Sequence, residues 1–260
     1  MPRVTSRDNP RLKAVGRLIT SSRERRKTGR CVLEGEHLIA VYCARYGAPE
    51  VLVLCESALE RPEVKAILQQ IQPRSALVVA DERWPDLALP QAVGALAVVT
   101  APKSVFKATG AFCLLLEDVQ DPGNVGSILR SAAAAGVTQV FLSPGCAFAW
   151  SPKVLRSGQG GHFHLEIFED VDLLAWAADY RGNLIAAVAA GGESLFGADL
   201  SGPVAIAIGN EGAGLSPALC AVATRRVSIP MPGGFESLNA AAAAAVCLFE
   251  CVRRRAVPSG

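Results

Sequence analysis

At 260 residues, half of them hydrophobic, the chain is long enough to bury one large core or two modest ones, which excludes a disordered chain. The net charge is only +2, yet residues 1–30 hold ten Lys/Arg against Asp8 and Glu24, giving +8 at the start and −6 over the remainder. A basic block on a mildly acidic chain points to a local polyanion contact, nucleic acid first, with a solvated helix face as the alternative.

In chain order, Leu12, Val15, Leu18 and Ile19 recur at helical spacing and predict one basic amphipathic helix over 9–27. A short strand over 31–33, a helix over 36–45 and a strand over 51–55 follow. A helix over 61–71 has Pro62 in its first turn and Pro73 stopping it. Strands over 75–80 and 95–100 flank a loop over 84–90. Residues 1–100 thus form a small α/β domain. The polar, turn-forming stretch 101–110 is the expected boundary, and 111–260 the second domain.

That second domain opens with a strand over 112–116, a turn-rich loop, and a helix over 125–135 that Gly136 closes. Strands over 139–142, 165–168, 184–188, 204–208 and 227–229 alternate with helices over 173–180 and 217–222. A long loop over 144–161 carries a short helical piece. A final helix over 237–254 ends in Arg253 and Arg254, suited to the negative end of its dipole. Strands alternating with helices argue for a parallel sheet covered on both faces.

Eight cysteines (Cys31, Cys43, Cys55, Cys113, Cys146, Cys220, Cys247, Cys251) include no C-x-x-C pair and sit mostly in apolar runs. They read as buried, reduced thiols in a cytoplasmic protein. His162 and His164, or Cys247 and Cys251, are too few convergent ligands for a metal, and none is expected. The apolar run 240–249 is far shorter than the ~20 residues of a membrane span. The N-terminus has no apolar signal stretch, so a soluble, cytoplasmic protein is expected.

Two apolar runs end at once in glycine- or proline-rich turns: Gly209-Asn210-Glu211-Gly212-Ala213-Gly214 and Pro230-Met231-Pro232-Gly233-Gly234. Such turns leave main-chain groups open to a ligand, at the strand ends where α/β sheets bind them. Ser237-Leu238-Asn239 then opens an alanine-rich segment, where Ser or Asn can cap the helix or face the pocket. In the loop after the 112–116 strand, Asn124 and Gly126 stand at the helix entrance and Arg130 one turn beyond Gly126. Taken singly, Asn124 reads equally as a helix cap, Arg130 as a surface charge, and Glu211 as a loop carboxylate.

Three stretches together resemble the SpoU/TrmH family of RNA ribose methyltransferases: EDVQDPGNVGSILRSAAAAGV (117–137), AIGNEGAGLS (207–216) and VSIPMPGGFESLNAAAAAAVCLFE (227–250). The N-terminal half (9–18, 21–39, 95–100) resembles the family's accessory RNA-binding domain, which has a ribosomal-protein-like α/β fold. The resemblance implies S-adenosylmethionine-dependent transfer of a methyl group to a ribose 2′-hydroxyl. It also implies a SPOUT fold with a deep trefoil knot, and a homodimer.

By the same resemblance Gly209, Ile229 and Leu238 contact the cofactor; Met231 offers it a further apolar wall, and Gly214 of the first turn is a further expected contact. Arg130 activates the hydroxyl, Glu211 orients Asn124 or Arg130, and Ser237 and Asn239 fix the ribose or the loop. Arg156 resembles a position near the RNA. Ala133, Ala240 and Ala241 depart from the family's usual residues. Ribosomal RNA is the favoured substrate, with transfer RNA or a non-catalytic ribosome-assembly role as alternatives. A nucleotide-binding enzyme using 209–214 as a phosphate cradle ranks last, because no Walker lysine is present.

Overall fold

The basic segment expected as one helix is two in the computed structural model, which describes residues 1–71, 75–87, 93–106 and 109–256. A first strand, β1 (Arg3–Val4), is followed by α1 (Pro10–Thr20) and α2 (Ser22–Thr28), with Ser21 extended between the helices. Ser21 Oγ accepts the N–H of Glu24 at 3.2 Å and so caps α2. The buried Arg25 guanidinium donates to the carbonyls of Leu18 (2.6 Å) and Ile19 (2.9 Å), the otherwise unpaired end of α1. Arg25 is therefore a structural plug, not part of a basic surface.

β2 (Arg30–Glu34), α3 (Glu36–Tyr46), β3 (Val51–Cys55), α4 (Pro62–Gln70), β4 (Ala76–Val79) and β5 (Ala95–Thr100) complete the first half. Their mixed sheet has the order β1-β4-β3-β5-β2. The expected loop over 84–90 begins as a 3-10 turn (Asp81–Leu87) that buries Trp84 and Leu87. Pro73, residues 88–90 and residues 107–108 of the expected boundary lie outside the described residues.

The second half contains β6 (Phe112–Leu116), α5 (Pro122–Ala134), β7 (Gln139–Leu142), α6 (Pro152–Gly158), β8 (Glu166–Phe168), α7 (Leu173–Asp179), β9 (Asn183–Ala187), β10 (Glu193–Ser194), β11 (Val204–Ile208), α8 (Pro217–Val222), β12 (Arg225–Ser228) and α9 (Ala240–Ala256). The chain separates into two units: Met1–Pro102 with Trp150–Phe163, and Lys103–Ala149 with His164–Gly260. The segment Trp150–Phe163 thus departs from the expected division, which kept it in the second domain. Within the first unit α6 packs on β2, where Arg156 Nε donates at 3.2 Å to the buried carboxylate of Glu34. A buried carboxylate needs such a partner, so this arginine is engaged inside its own unit.

The second unit's seven strands run β10-β12-β9-β11-β6-β7-β8, every neighbouring pair parallel. β6 and β11 are buried at every residue, as strands covered on both faces must be. On one face Cys113, Leu115, Ala205 and Ala207 pack with Leu173 of α7 and Leu219 of α8. Elsewhere α5 packs against α9, whose buried residues Ala240, Ala244, Cys247, Leu248 and Cys251 form one helical stripe. The small residues in that stripe let backbones approach closely.

All eight cysteines are unpaired. Burial pushes the thiols of Cys31 and Cys247 up to about 12 and those of Cys113 and Cys251 up to about 11, which makes them packing residues without thiolate character. No helix among the described residues is long and apolar enough to cross a membrane.

Candidate active site

Register decides which loops meet. Leu116 of β6 stands opposite Ile208 of β11, so the loops after these two strands leave the sheet side by side. On the other side of β11 lie β9 and then β12. The carboxyl ends of β12, β9 and β11 open on one cavity of about 800 Å³, counting its mouth. Strand ends near a reversal of strand order are where parallel sheets bind ligands. The cavity is lined by residues 187–189, 208–212 and Gly214, by Val227, Ile229 and Met231, and by Glu236, Ser237, Leu238, Ala240 and Ala243. Gly209, Gly214, Ile229, Met231 and Leu238 are all among them.

The loop after β11 folds back on itself. Asn210 and Gly214 exchange backbone hydrogen bonds of 3.0 and 2.9 Å, and Gly214 has φ +70°. A Cβ on Gly209 would lie 2.2 Å from the Gly214 carbonyl carbon, so only glycine permits this closure. Asn210 Oδ1 accepts the N–H groups of Gly212 and Ala213, both at 2.9 Å, and its Nδ2 donates to the Asp118 carbonyl at 2.8 Å.

Glu211 makes the central tie. Its carboxylate accepts the N–H of Gln120 (3.2 Å), the N–H of Asp121 (3.0 Å) and Asn124 Nδ2 (2.9 Å). Partial burial acts to raise its pKa, but the hydrogen bonds from Asn124 and the backbone outweigh that and hold it below the usual carboxylate value. With its Nδ2 committed to Glu211, Asn124 has Oδ1 left to accept Asn239 Nδ2 at 2.9 Å. Asn239 Oδ1 in turn accepts the N–H groups of Ala241 (2.9 Å) and Ala242 (3.4 Å). One polar chain therefore runs from the β11 loop through the start of α5 to the start of α9.

Two helix starts differ from expectation. α5 begins at Pro122, three residues early, and Asp121 caps it by accepting the Asn124 N–H at 2.9 Å. Asn124 is thus inside the first turn, its side chain free for Glu211. α9 begins at Ala240, three residues late, and Asn239 caps it. Ser237 starts no helix; it is exposed, lines the cavity, and makes no hydrogen bond among the described residues. Arg130 is exposed on α5 and its side chain, among the described residues, has no hydrogen bond or ion pair, including none to Glu211.

Sequence reasoning missed a second tie between the same loops. The Ser216 N–H and Oγ both donate to the Glu117 carboxylate at 2.7 Å, while Ser216 Oγ caps α8 by accepting the Leu219 N–H at 3.2 Å. Ser216-Pro217 is a cap followed by proline at the first helical position, a signal present in the sequence.

The lining also says which ligands fit. Its charged residues are Glu211 and Glu236, and no basic residue lines it among the described residues. Phosphates have no cation there, which counts against the phosphate-cradle reading. Apolar walls from Ile208, Val227, Ile229, Met231 and Leu238 beside carboxylates suit a flat heteroaromatic carried on a cation. S-adenosylmethionine has that chemistry.

Residues 111–249 match the model of the SpoU rRNA Methylase family. The chain is 32% identical over 261 residues to the 23S rRNA (guanosine(2553)-2'-O)-methyltransferase RlmP of Bacillus subtilis (strain 168), covering 96% of this chain and 98% of that protein. It is 31% identical to the mitochondrial rRNA methyltransferase 3A of Danio rerio, over 92% of this chain and 67% of the relative. Among solved structures, an RNA 2'-O ribose methyltransferase superposes with a TM-score of 0.85 at 30% identity, covering 98% of this chain and 100% of that one. The SpoU methyltransferase AviRb from Streptomyces viridochromogenes, in complex with AdoMet, gives 0.83 at 28% identity, covering 95% and 99%.

Proposed function

Since the chain belongs to the SpoU rRNA methylase family, we propose that it methylates a ribose 2′-hydroxyl of ribosomal RNA, with S-adenosylmethionine held in the cavity at the ends of β12, β9 and β11. The observation that carries this is the Glu211–Asn124–Asn239 chain bordering an acidic, apolar-walled cavity, with Arg130, unpaired among the described residues, on the same helix as Asn124. Bound S-adenosylmethionine supplies a methyl group activated by its sulfonium. The chain's own residues must place the hydroxyl and lower the cost of its proton loss.

Arg130 serves as a cation, not a base. It stabilises the developing alkoxide and grips the neighbouring phosphate, which takes the proton. Glu211 locks the Asn124 amide, Asn124 locks Asn239, and Ser237 contributes a free hydroxyl to the ribose. Gly209, Gly214, Ile229, Met231 and Leu238 form the cofactor contacts.

The first unit is the RNA-binding module. Arg3, Arg7, Lys13 and Arg30 are paired to Glu56, Asp86, Asp8 and Glu50, so Arg17, Arg23 and Lys27, whose exposed side chains make no hydrogen bond among the described residues, are its phosphate contacts. The enzyme is a cytoplasmic homodimer, and the segment after β12 threads to form a trefoil knot. The meeting of the loops after β9, β11 and β12 at one cavity supports that threading.

Tritiated-methyl transfer to ribosomal RNA transcribed in vitro tests the reading. Wild-type protein should label the transcript at a ribose, and Arg130→Ala should bind S-adenosylmethionine in calorimetry yet fail to label. Calorimetric silence of the wild type towards S-adenosylmethionine would overturn it.

A further inference from the structure

The most exposed large apolar side chain among the described residues is Phe235, at 77%. A single exposed hydrophobe needs no explanation by itself; the position of this one does. It follows the turn closed by the Gly234 N–H to the Met231 carbonyl at 3.0 Å, with Gly234 at φ +71°. It stands between Met231 and the run Glu236, Ser237, Leu238, all of which line the cavity. No ring or cation packs against it among the described residues. Asn239, where the polar chain from Glu211 arrives, follows four residues later.

We propose that Phe235 is a stacking platform for the unstacked base of the nucleotide whose ribose is methylated. This rests on the RNA ribose reading above. Drawing one ribose into a cavity to meet a methyl donor favours an unstacked nucleotide, whose base can be splayed out. The base then loses its neighbours' π faces, and an aromatic ring at the cavity mouth replaces one of them. Stacking tolerates any base, so Phe235 sets affinity for an extruded nucleotide and leaves its identity to other contacts. Glycines on its N-terminal side let the ring swing to meet the base, while Asn239 holds the ribose end fixed.

The test is methyl transfer to ribosomal RNA transcribed in vitro, with KM for RNA and kcat separated. Phe235→Ala and Phe235→Leu should raise KM for RNA by about 5- to 100-fold, with calorimetric affinity for S-adenosylmethionine and the melting temperature unchanged. Phe235→Tyr should restore KM; Leu keeps the apolar bulk and so separates stacking from simple burial. In Phe235→Trp, RNA should shield the new indole from acrylamide quenching. Wild-type KM in Phe235→Ala, or equal behaviour of Leu and Tyr, overturns the proposal. So does a lower sedimenting mass of Phe235→Ala, which assigns the ring to a contact between copies. A wild-type enzyme that labels no transcript overturns the RNA reading itself.

Discussion

Glu211 on the loop after β11 holds the side-chain amide of Asn124 on α5 at 2.9 Å. The carboxylate must be ionised to accept three N–H groups at once. Its folded pKa lies below the ordinary value, so the tie is fully present above the unfolded pKa of about 4.3 and is lost as pH falls through the lower folded value. The melting-temperature difference between wild type and Glu211→Gln should be constant from neutrality to about pH 5 and shrink below about pH 4. A difference that disappears by pH 6 would contradict this assignment.

Asn124 donates to a carboxylate and accepts from an amide, so its two nearest substitutes should fail differently. Asn124→Ala loses both bonds and should cost about 1–2 kcal/mol in urea denaturation. Asn124→Asp puts a second carboxylate against Glu211 and should be worse than alanine despite its shape. The reverse order would mean the amide is flipped.

The Arg130 side chain has no partner among the described residues, so its removal should leave the fold intact. Arg130→Ala should lower kcat by about 100- to 1000-fold, the scale of losing one transition-state donor. Arg130→Lys should recover only part, because an ammonium cannot hold alkoxide and phosphate as a planar fork does. Single-turnover methylation at saturating cofactor measures it.

The ten basic residues of the N-terminus should divide sharply. Arg17→Gln, Arg23→Gln and Lys27→Gln should each flatten the salt dependence of RNA binding by about 0.7–0.9 in log K against log[salt]. Arg25→Gln should instead destabilise the first unit, because it uncovers the end of α1. Filter binding across a salt series, beside thermal melting, separates the two groups.

Gly209→Ala should show that close approach, not flexibility, is the demand at that position. The added methyl meets the backbone of Gly214 and Leu215 at 2.2–2.3 Å, and backbone cannot yield as a side chain would. The cavity loop should open at a cost of about 1–3 kcal/mol, with S-adenosylmethionine affinity falling in calorimetry. Unaltered affinity would place the cofactor elsewhere.

Much of the fold was legible because apolar runs and turn residues are local signals. β3, β5, β6, β7, β11 and α8 fall where the sequence places them. What escaped depends on partners far along the chain. The break at Ser21 is held by Arg25 reaching back to α1, and amphipathic periodicity does not register that contact. The start of α5 was readable from Asp121-Pro122, a cap before proline, had that pair outweighed the first apolar residue. The membership of Trp150–Phe163 in the first unit has no local marker at all. At the site, the residue types were legible, but the order of the chain Glu211 to Asn124 to Asn239 follows from strand register, which no single stretch encodes.

β11 sits in the middle of its sheet, between β6 and β9, although it is made almost ninety residues after β6. Until it emerges, β6 has β7 on one side and a bare edge on the other. At ordinary synthesis speeds that edge waits roughly 5–20 s. The second unit's sheet is therefore a late-closing structure, and the newborn chain carries a bare, pairing-competent edge on β6 until its central strand arrives.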